Sequence, residues 1–350
     1  MANQAVIWKD YVESGAVPLD NFILRQVPEP EVPGDGAVIE LIYCSVDPYM
    51  RGRMRNSAGY FVGPFAPGEP LASGALAKVV SSKTPQLKEG SIVAGSFSWV
   101  QRQALSAEQV KGVQVISPEL LATMNNPPLT LFMGALGMTG MTAYCSLERI
   151  GKPKAGETVF VSGAAGAVGI IVGQLCKNVY GCKVVGSAGS PEKIELLKQY
   201  GYDSAFNYKT TSPQAGLAEH CPNGIDVYYD NVGGEMLEAA LDVCNVNARV
   251  VACGSISQYN AQGEARYGVK NLFNITTKRI LMQGFIVFDF NDMRAEFESK
   301  MAEYVASGKV RDLVHVQDGG LAQAGKAFVD MMSGVNLGKM LVSCGPEPGK

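Results

Sequence analysis

Histidine is nearly missing from this chain: His220 and His315 are the only two among 350 residues, and they fall in separate stretches. With no evident Ser–His or Cys–His pair and no G-x-S-x-G elbow, hydrolase chemistry is disfavoured. The eight cysteines (44, 145, 176, 182, 221, 244, 253 and 344) include no C-x-x-C pair, and most sit in apolar segments. They read as reduced, hydrophobe-like thiols rather than as a disulfide framework. No basic block or stripe appears, and 30 Lys plus Arg against 33 Asp plus Glu give a net charge of −3, which argues against a nucleic-acid partner. No apolar run approaches the ~18 residues of a bilayer span. No leader, anchor or retention signal is expected at either terminus. A cytoplasmic location is the expectation.

What is present is an ordinary globular composition, 47% hydrophobic and 18% charged, on a chain about twice the ~150-residue prior for one domain. The first part is rich in glycine and proline, with short β-like runs at residues 5–8, 36–43, 73–80 and 92–99. These predict a small barrel-like β domain. Asn125-Asn126-Pro127-Pro128 marks a junction, and a small-residue stretch with Gly134, Gly137 and Gly140 leads into a helix expected over 142–150. From Glu157 the rhythm alternates. Strands are expected at 158–162, 183–187, 204–208, 225–230, 249–254 and 280–287, with helices at 167–180, 191–200, 234–244 and about 291–307. Single helices between strands imply a parallel, doubly wound sheet. Strand-like pieces at 313–317 and 339–343 flank a helix at 320–333 and return to the first domain. The expected organisation is α/β: a Rossmann nucleotide-binding domain over 129–307 and a second, β-rich domain from 1–128 and 308–350.

The sharpest local signal is Val159-Phe-Val-Ser-Gly-Ala-Ala-Gly-Ala-Val-Gly169. A buried strand runs into small residues and then into an apolar helix. That order offers a dinucleotide pyrophosphate a tight turn and a helix N-terminus whose N–H groups face the anion. Ala165, Gly166, Val168 and Gly169 are the candidate contacts, although Ala164 replaces the first glycine of the G-x-G-x-x-G pattern. The second strand, Lys183-Val-Val-Gly-Ser-Ala-Gly-Ser190, ends without the acid that would hold a ribose 2′-OH. Hydroxyls at Ser187 and Ser190 leave room for a 2′-phosphate, and Lys193 in the first turn of the next helix opposes the helix dipole unless an anion docks beside it. NADPH is therefore expected over NADH.

A β domain followed by a nucleotide domain that returns to it is the layout of the medium-chain dehydrogenases, many of which hold a catalytic zinc. Cys44 stands where a ligand would stand, but Pro67-Gly68-Glu69-Pro70 lacks the histidine of a Gly-His-Glu pattern. The close-spaced four-cysteine loop of a structural zinc is missing too. No metal is expected, which leaves the cofactor's hydride as the reactive species.

Several segments carry a resemblance over about residues 45–339: Val46-Asp-Pro-Tyr-Met-Arg51, Gly137-Met-Thr-Gly-Met-Thr-Ala-Tyr144, Gly186-Ser-Ala-Gly-Ser190, Phe206-Asn-Tyr-Lys209, Tyr229-Asp-Asn-Val-Gly-Gly234, Cys253-Gly-Ser-Ile-Ser-Gln-Tyr-Asn260 and Asn336-Leu-Gly-Lys339. The chain resembles the zinc-independent, NADPH-dependent double-bond reductases of the medium-chain superfamily, which include prostaglandin, 2-alkenal and curcumin reductases. The resemblance implies a GroES-like catalytic domain beside the Rossmann domain and reduction of the carbon–carbon double bond of α,β-unsaturated aldehydes and ketones. It implies Lys193 and Tyr208 at the 2′-phosphate, with Gly189 in the same strand-end motif, and Asn231 where the cofactor crosses the sheet. Cys253, Ser255 and Ser257 would line the cofactor path, Phe285 and Asn336 the nicotinamide end, and Tyr49 and Tyr259 the substrate. A homodimer through the edge strand at 280–287 is implied as well. A tyrosine hydroxyl suits the chemistry, because hydride addition at the β-carbon pushes negative charge onto the carbonyl oxygen.

Two alternatives remain open from sequence: a quinone reductase of the same zinc-free layout, and an NADPH-binding sensor without turnover. The loops at 53–65 and 258–269 carry Tyr60, Phe61, Phe65 and Tyr267, which predicts an apolar, aromatic substrate pocket.

Overall fold

The computed structural model describes residues 2–57, 62–124 and 127–347. Tyr60, Phe61 and the Asn125-Asn126 part of the junction lie outside these residues. The chain divides into two compact units. The first comprises Met1–Met133, Val314–Asn336 and Met340–Lys350; the second comprises Gly134–Leu313 and Leu337–Lys339.

The first unit is built on the strand Ala37–Ser45, which pairs antiparallel with Ala72–Ser82 along one side. On its other side, residues 37–40 pair with Arg102–Leu105 and residues 43–45 with the end of Lys339–Ser343. One strand serving three neighbours in this way bends the sheet around its own inner face. Period-2 alternation fills that face with Ile39, Leu41, Ala75, Ala77, Val93 and Phe97, joined by Trp8, Met50, Met54, Trp99 and Phe328. Two polar groups are buried with their bonds satisfied. The Trp99 indole donates to Ser73 Oγ at 2.8 Å, and the fully buried Arg51 donates to the carbonyls of Val12 and Gly15 at 2.9 and 3.0 Å. Phe65 also packs into this core, under the Arg53 guanidinium at 3.9 Å from its ring centroid.

The second unit is a six-stranded sheet of β1 (Thr158–Val161), β2 (Lys183–Ala188), β3 (Ser204–Asn207), β4 (Ile225–Asp230), β5 (Cys244–Ala252) and β6 (Leu281–Gly284), in the order β3-β2-β1-β4-β5-β6. Every pairing is parallel. Helices α1 (Ala167–Asn178), α2 (Pro191–Gln199), α3 (Pro213–His220) and α4 (Gly234–Val243) connect the first five strands, and α5 (Arg294–Ala306) follows β6. This is the doubly wound order, and its direction reverses between β1 and β4, which opens a crevice beyond their carboxyl ends. β1 is buried at every position. Phe160 stacks on Tyr228 at 5.1 Å and on Phe206 at 6.0 Å, tying three strands through one face of the sheet.

Several expected elements differ; the strand expected over 249–254 runs Cys244–Ala252, and the helix expected over 320–333 runs Ala324–Met332. The strand expected over 280–287 stops at Gly284, because the Asp289 carboxylate takes the Ile286 N–H at 2.9 Å and turns the chain into a short 3₁₀ stretch. The helix expected from about 291 therefore begins at Arg294. The helix expected over 142–150 runs Met138–Ser146 and then widens into a π-helical turn at Leu147–Gly151. Among the described residues, no helix is long and apolar enough to cross a membrane.

Candidate nucleotide-binding site

The ends of β1, β2, β4 and β5 build the crevice. After β1 the chain turns through Gly163, with Gly166 N–H bonding Gly163 O at 3.0 Å and Ala164 N–H bonding Ser187 O at 3.0 Å. Ala164, the departure from the glycine pattern, is fully buried. It is tolerated because Gly186 stands opposite: a side chain there would put its Cβ 2.9 Å from the Ala164 Cβ. The missing glycine is thus compensated on the neighbouring strand. Gly166 is the N-cap of α1, in extended conformation and with no side-chain cap, so the leading amides of Ala167, Val168 and Gly169 open onto the turn.

At the end of β2, the Ser187 hydroxyl is completely buried and has no hydrogen-bond partner among the described residues. Gly189 lies directly under Tyr208: a Cβ on it would stand 2.8 Å from the phenol oxygen and 3.2 Å from Lys209 Cε. Ser190 caps α2 by accepting the Lys193 N–H at 3.3 Å, with Pro191 in the first turn, as its sequence position suggests. Burial first, then the Lys209 charge, push the Lys193 ammonium below its ordinary pKa, while Glu192 acts the other way. Gly189, Lys193, Tyr208 and Lys209 together form a small cationic cradle with a half-buried lysine. Lys209 was not singled out by sequence, although it directly follows Tyr208.

The ends of β1 and β4 are braced by Asp230, which is 2% exposed. Its Oδ1 accepts from Tyr228 Oη (2.6 Å), Ser162 Oγ (3.2 Å), Val232 N (3.0 Å) and Gly233 N (2.8 Å). Burial raises the Asp230 pKa, and these four donors oppose the shift. Asn231 Nδ2 donates to Ser162 O at 2.8 Å. Asn231 O accepts the Ile256 N–H, and Val232 O accepts both the Ser257 N–H and its hydroxyl. Tyr259 folds back over this rim, where its phenol oxygen accepts the Ser255 N–H at 3.2 Å. Burial holds the Tyr259 phenol above its ordinary pKa, so it stays protonated. The Cys253 thiol is pushed up to about 12 by burial and is a poor nucleophile.

The second unit therefore brings together Ala165, Gly166, Val168, Gly169, Ser187, Gly189, Lys193, Tyr208, Asn231, Cys253, Ser255, Ser257 and Tyr259 around consecutive strand ends. Phe285 follows β6 and packs on Phe290 at 5.2 Å. Tyr49 and Asn336 belong to the first unit; Tyr49 heads the helical turn Met50–Arg53 and packs on that unit's core. Tyr267 hydrogen-bonds Glu238 through its hydroxyl and Gln258 through its N–H. Sequence reading also missed Asp230 and Ser162. Their signal was an apolar strand ending in an acid, but the Ser162 partner lies 68 residues away, just past β1.

Comparison with known proteins agrees with this geometry. Residues 7–113 match a family profile described as the N-terminal domain of oxidoreductase, and residues 167–303 match one described as zinc-binding dehydrogenase. The chain is 41% identical over 353 residues to the NADP(+)-dependent 2-alkenal reductase of Nicotiana tabacum, covering 99% of each chain. The chain belongs to the double-bond reductases of the medium-chain dehydrogenase/reductase superfamily. It is also 35% identical to (+)-pulegone reductase of Mentha piperita, over 99% of each chain. Among solved structures it superposes on the NADPH complex of CurA from Vibrio vulnificus with a TM-score of 0.89 at 33% identity, covering 98% of this chain and 100% of that one.

The zinc named by one profile does not fit this double-bond reductase. Among the described residues, no group of three His, Cys, Asp or Glu side chains is placed to hold a metal. Cys44 has a second thiol, Cys344, as its neighbour. NADPH does fit. The partnerless Ser187 hydroxyl, the uncapped start of α1 and the Lys193–Lys209 pair are donors arranged for a polyanion.

Proposed function

We propose that the protein reduces the carbon–carbon double bond of α,β-unsaturated aldehydes and ketones with NADPH. The observation that carries this reading is the Tyr259 phenol. Burial keeps it protonated at the carboxyl-end rim of a Rossmann sheet, in a chain 41% identical to a 2-alkenal reductase. Bound NADPH supplies the hydride. The backbone of Ala165, Gly166, Val168 and Gly169 holds the pyrophosphate, and Ser187, Gly189, Lys193 and Tyr208 hold the 2′-phosphate. Asn231, Cys253, Ser255, Ser257 and Phe285 border the rest of the cofactor. Tyr259 donates a hydrogen bond to the substrate carbonyl oxygen as charge collects there. Tyr49 and Asn336 are assigned substrate and nicotinamide contacts by the resemblance alone.

The second unit is thus the nucleotide-binding domain and the first a GroES-like catalytic domain. We assign a homodimer paired through β6, because all four residues of this edge strand are exposed, with Leu281 at 53%, and Phe273 nearby in sequence is 75% exposed. A cytoplasmic location accords with the reduced thiols. The test is NADPH oxidation with a 2-alkenal, a cyclic enone and a small quinone, repeated with NADH. Turnover of the alkenal or enone with NADPH supports the reading. Turnover of the quinone alone makes the protein a quinone reductase, and NADPH binding without any turnover makes it a sensor.

A further inference from the structure

Two thiols far apart in sequence meet in the first unit. The Sγ atoms of Cys44 and Cys344 lie 3.5 Å apart, across 300 residues of chain. Cys44 is fully buried in the strand Ala37–Ser45, where it pairs with Val342. Two residues on, Cys344 sits just past the end of Lys339–Ser343, with its N–H bonded to Ile42 O at 2.8 Å. The two side chains are diagonal neighbours on one sheet face. We propose that this pair is a peroxide-oxidisable site that closes to an intramolecular Cys44–Cys344 disulfide.

The geometry supplies both partners of such a reaction. Cys344 is half-buried and reachable, whereas Cys44 is enclosed. The Cys344 thiol attacks hydrogen peroxide: the O–O bond breaks, Cys344 becomes a sulfenic acid, and water leaves. The Cys44 sulfur then displaces the sulfenic oxygen as a second water, forming the S–S bond. Two thiols are oxidised by two electrons, and one peroxide is reduced to two waters. Closure needs the sulfurs to approach from 3.5 Å to about 2.05 Å. One partner lies just past the last paired residue of its strand. Burial and the neighbouring sulfur push the Cys44 thiol up, so closure accelerates with rising pH. The competing thiols are less suited: burial raises Cys145 and Cys182 to about 11, and Cys221, Cys244 and Cys253 to about 12.

The bond would staple the C-terminal strand of the sheet to its central strand and close a loop of 300 residues. The oxidised protein should then melt higher by a few degrees, reversibly with dithiothreitol. The experiment treats the full chain with one equivalent of hydrogen peroxide. Thiols are titrated under denaturation, and a non-reducing digest is mapped by mass spectrometry. The expected result is loss of two of the eight thiols, a mass lower by about 2 Da, and a crosslinked pair of peptides carrying Cys44 and Cys344. Cys344→Ser, at the reachable end, should lose both the crosslink and the rise in melting temperature. Sulfinic acid at Cys344 without a crosslink, a disulfide between chains, or unreacted thiols would each overturn the proposal, and all three are read on the wild-type chain.

Discussion

Lys209 stands close enough to Lys193 to help hold that ammonium below its ordinary pKa, second only to burial. A cation in the first turn of α2 and one just past β3 repel each other, and an anion between them relieves that repulsion. On the proposed reading, this pair recognises the third phosphate of the cofactor. Lys193→Glu should raise the KM for NADPH about 10- to 100-fold, or roughly 1.4–2.7 kcal/mol, with the KM for NADH nearly unchanged. Lys209→Gln should move it in the same direction by less. Equal changes for both nucleotides in steady-state kinetics would place the lysines elsewhere.

Tyr259 gives the second prediction. Tyr259→Phe should keep NADPH affinity within a few-fold while kcat/KM on an enone falls about 100-fold. Because burial raises the phenol pKa, any loss of activity from its ionisation should appear only above pH 10. Full kcat/KM in the phenylalanine variant removes Tyr259 from the chemistry.

The Asp230 brace is a stability element that also shapes the site. Asp230→Ala strands four donors at the ends of β1 and β4 and should cost about 3 kcal/mol in urea unfolding. Asp230→Asn keeps an acceptor in place and should cost less than half of that. Equal losses in the two variants would show that volume, not hydrogen bonding, matters there.

Asp312 makes stability depend on pH. Burial raises its pKa from 3.8 to about 7, against support from the N–H groups of Leu313 and Ala135 and from Lys339, and its Oδ2 has no partner among the described residues. A folded pKa above the unfolded one favours the protonated form. The stability from this group is therefore complete below pH 4 and lost as pH rises through about 7. Asp312→Asn lacks that loss, so it should gain about 1–3 kcal/mol relative to wild type between pH 5 and pH 8. Parallel stability curves for the two proteins would contradict it.

Much of this arrangement is legible in local sequence. The strands at 92–98, 158–161 and 225–230, the glycine turn and the Ser190-Pro191 helix start follow from apolar runs and cap chemistry acting over a few residues. The same Ser-Pro signal recurs at Ser212-Pro213 and starts α3. That helix escaped the sequence reading because it is short and buries little beyond Pro213, Gly216 and Leu217. Long-range partners decide the rest. Gly186 licenses Ala164 from the next strand, and Asp230 draws one of its donors from Ser162, just past β1. Phe65, read as a pocket residue, is committed to the core of the first unit. No window of sequence contains both members of such pairs.

The central claim is hydride delivery to a carbon–carbon double bond. It is tested most directly by running the reaction with NADPH deuterated at the transferring position and an α,β-unsaturated aldehyde, and locating the label in the product by NMR. The account predicts a saturated aldehyde with deuterium on the β-carbon. An allylic alcohol with deuterium on the carbonyl carbon would contradict it.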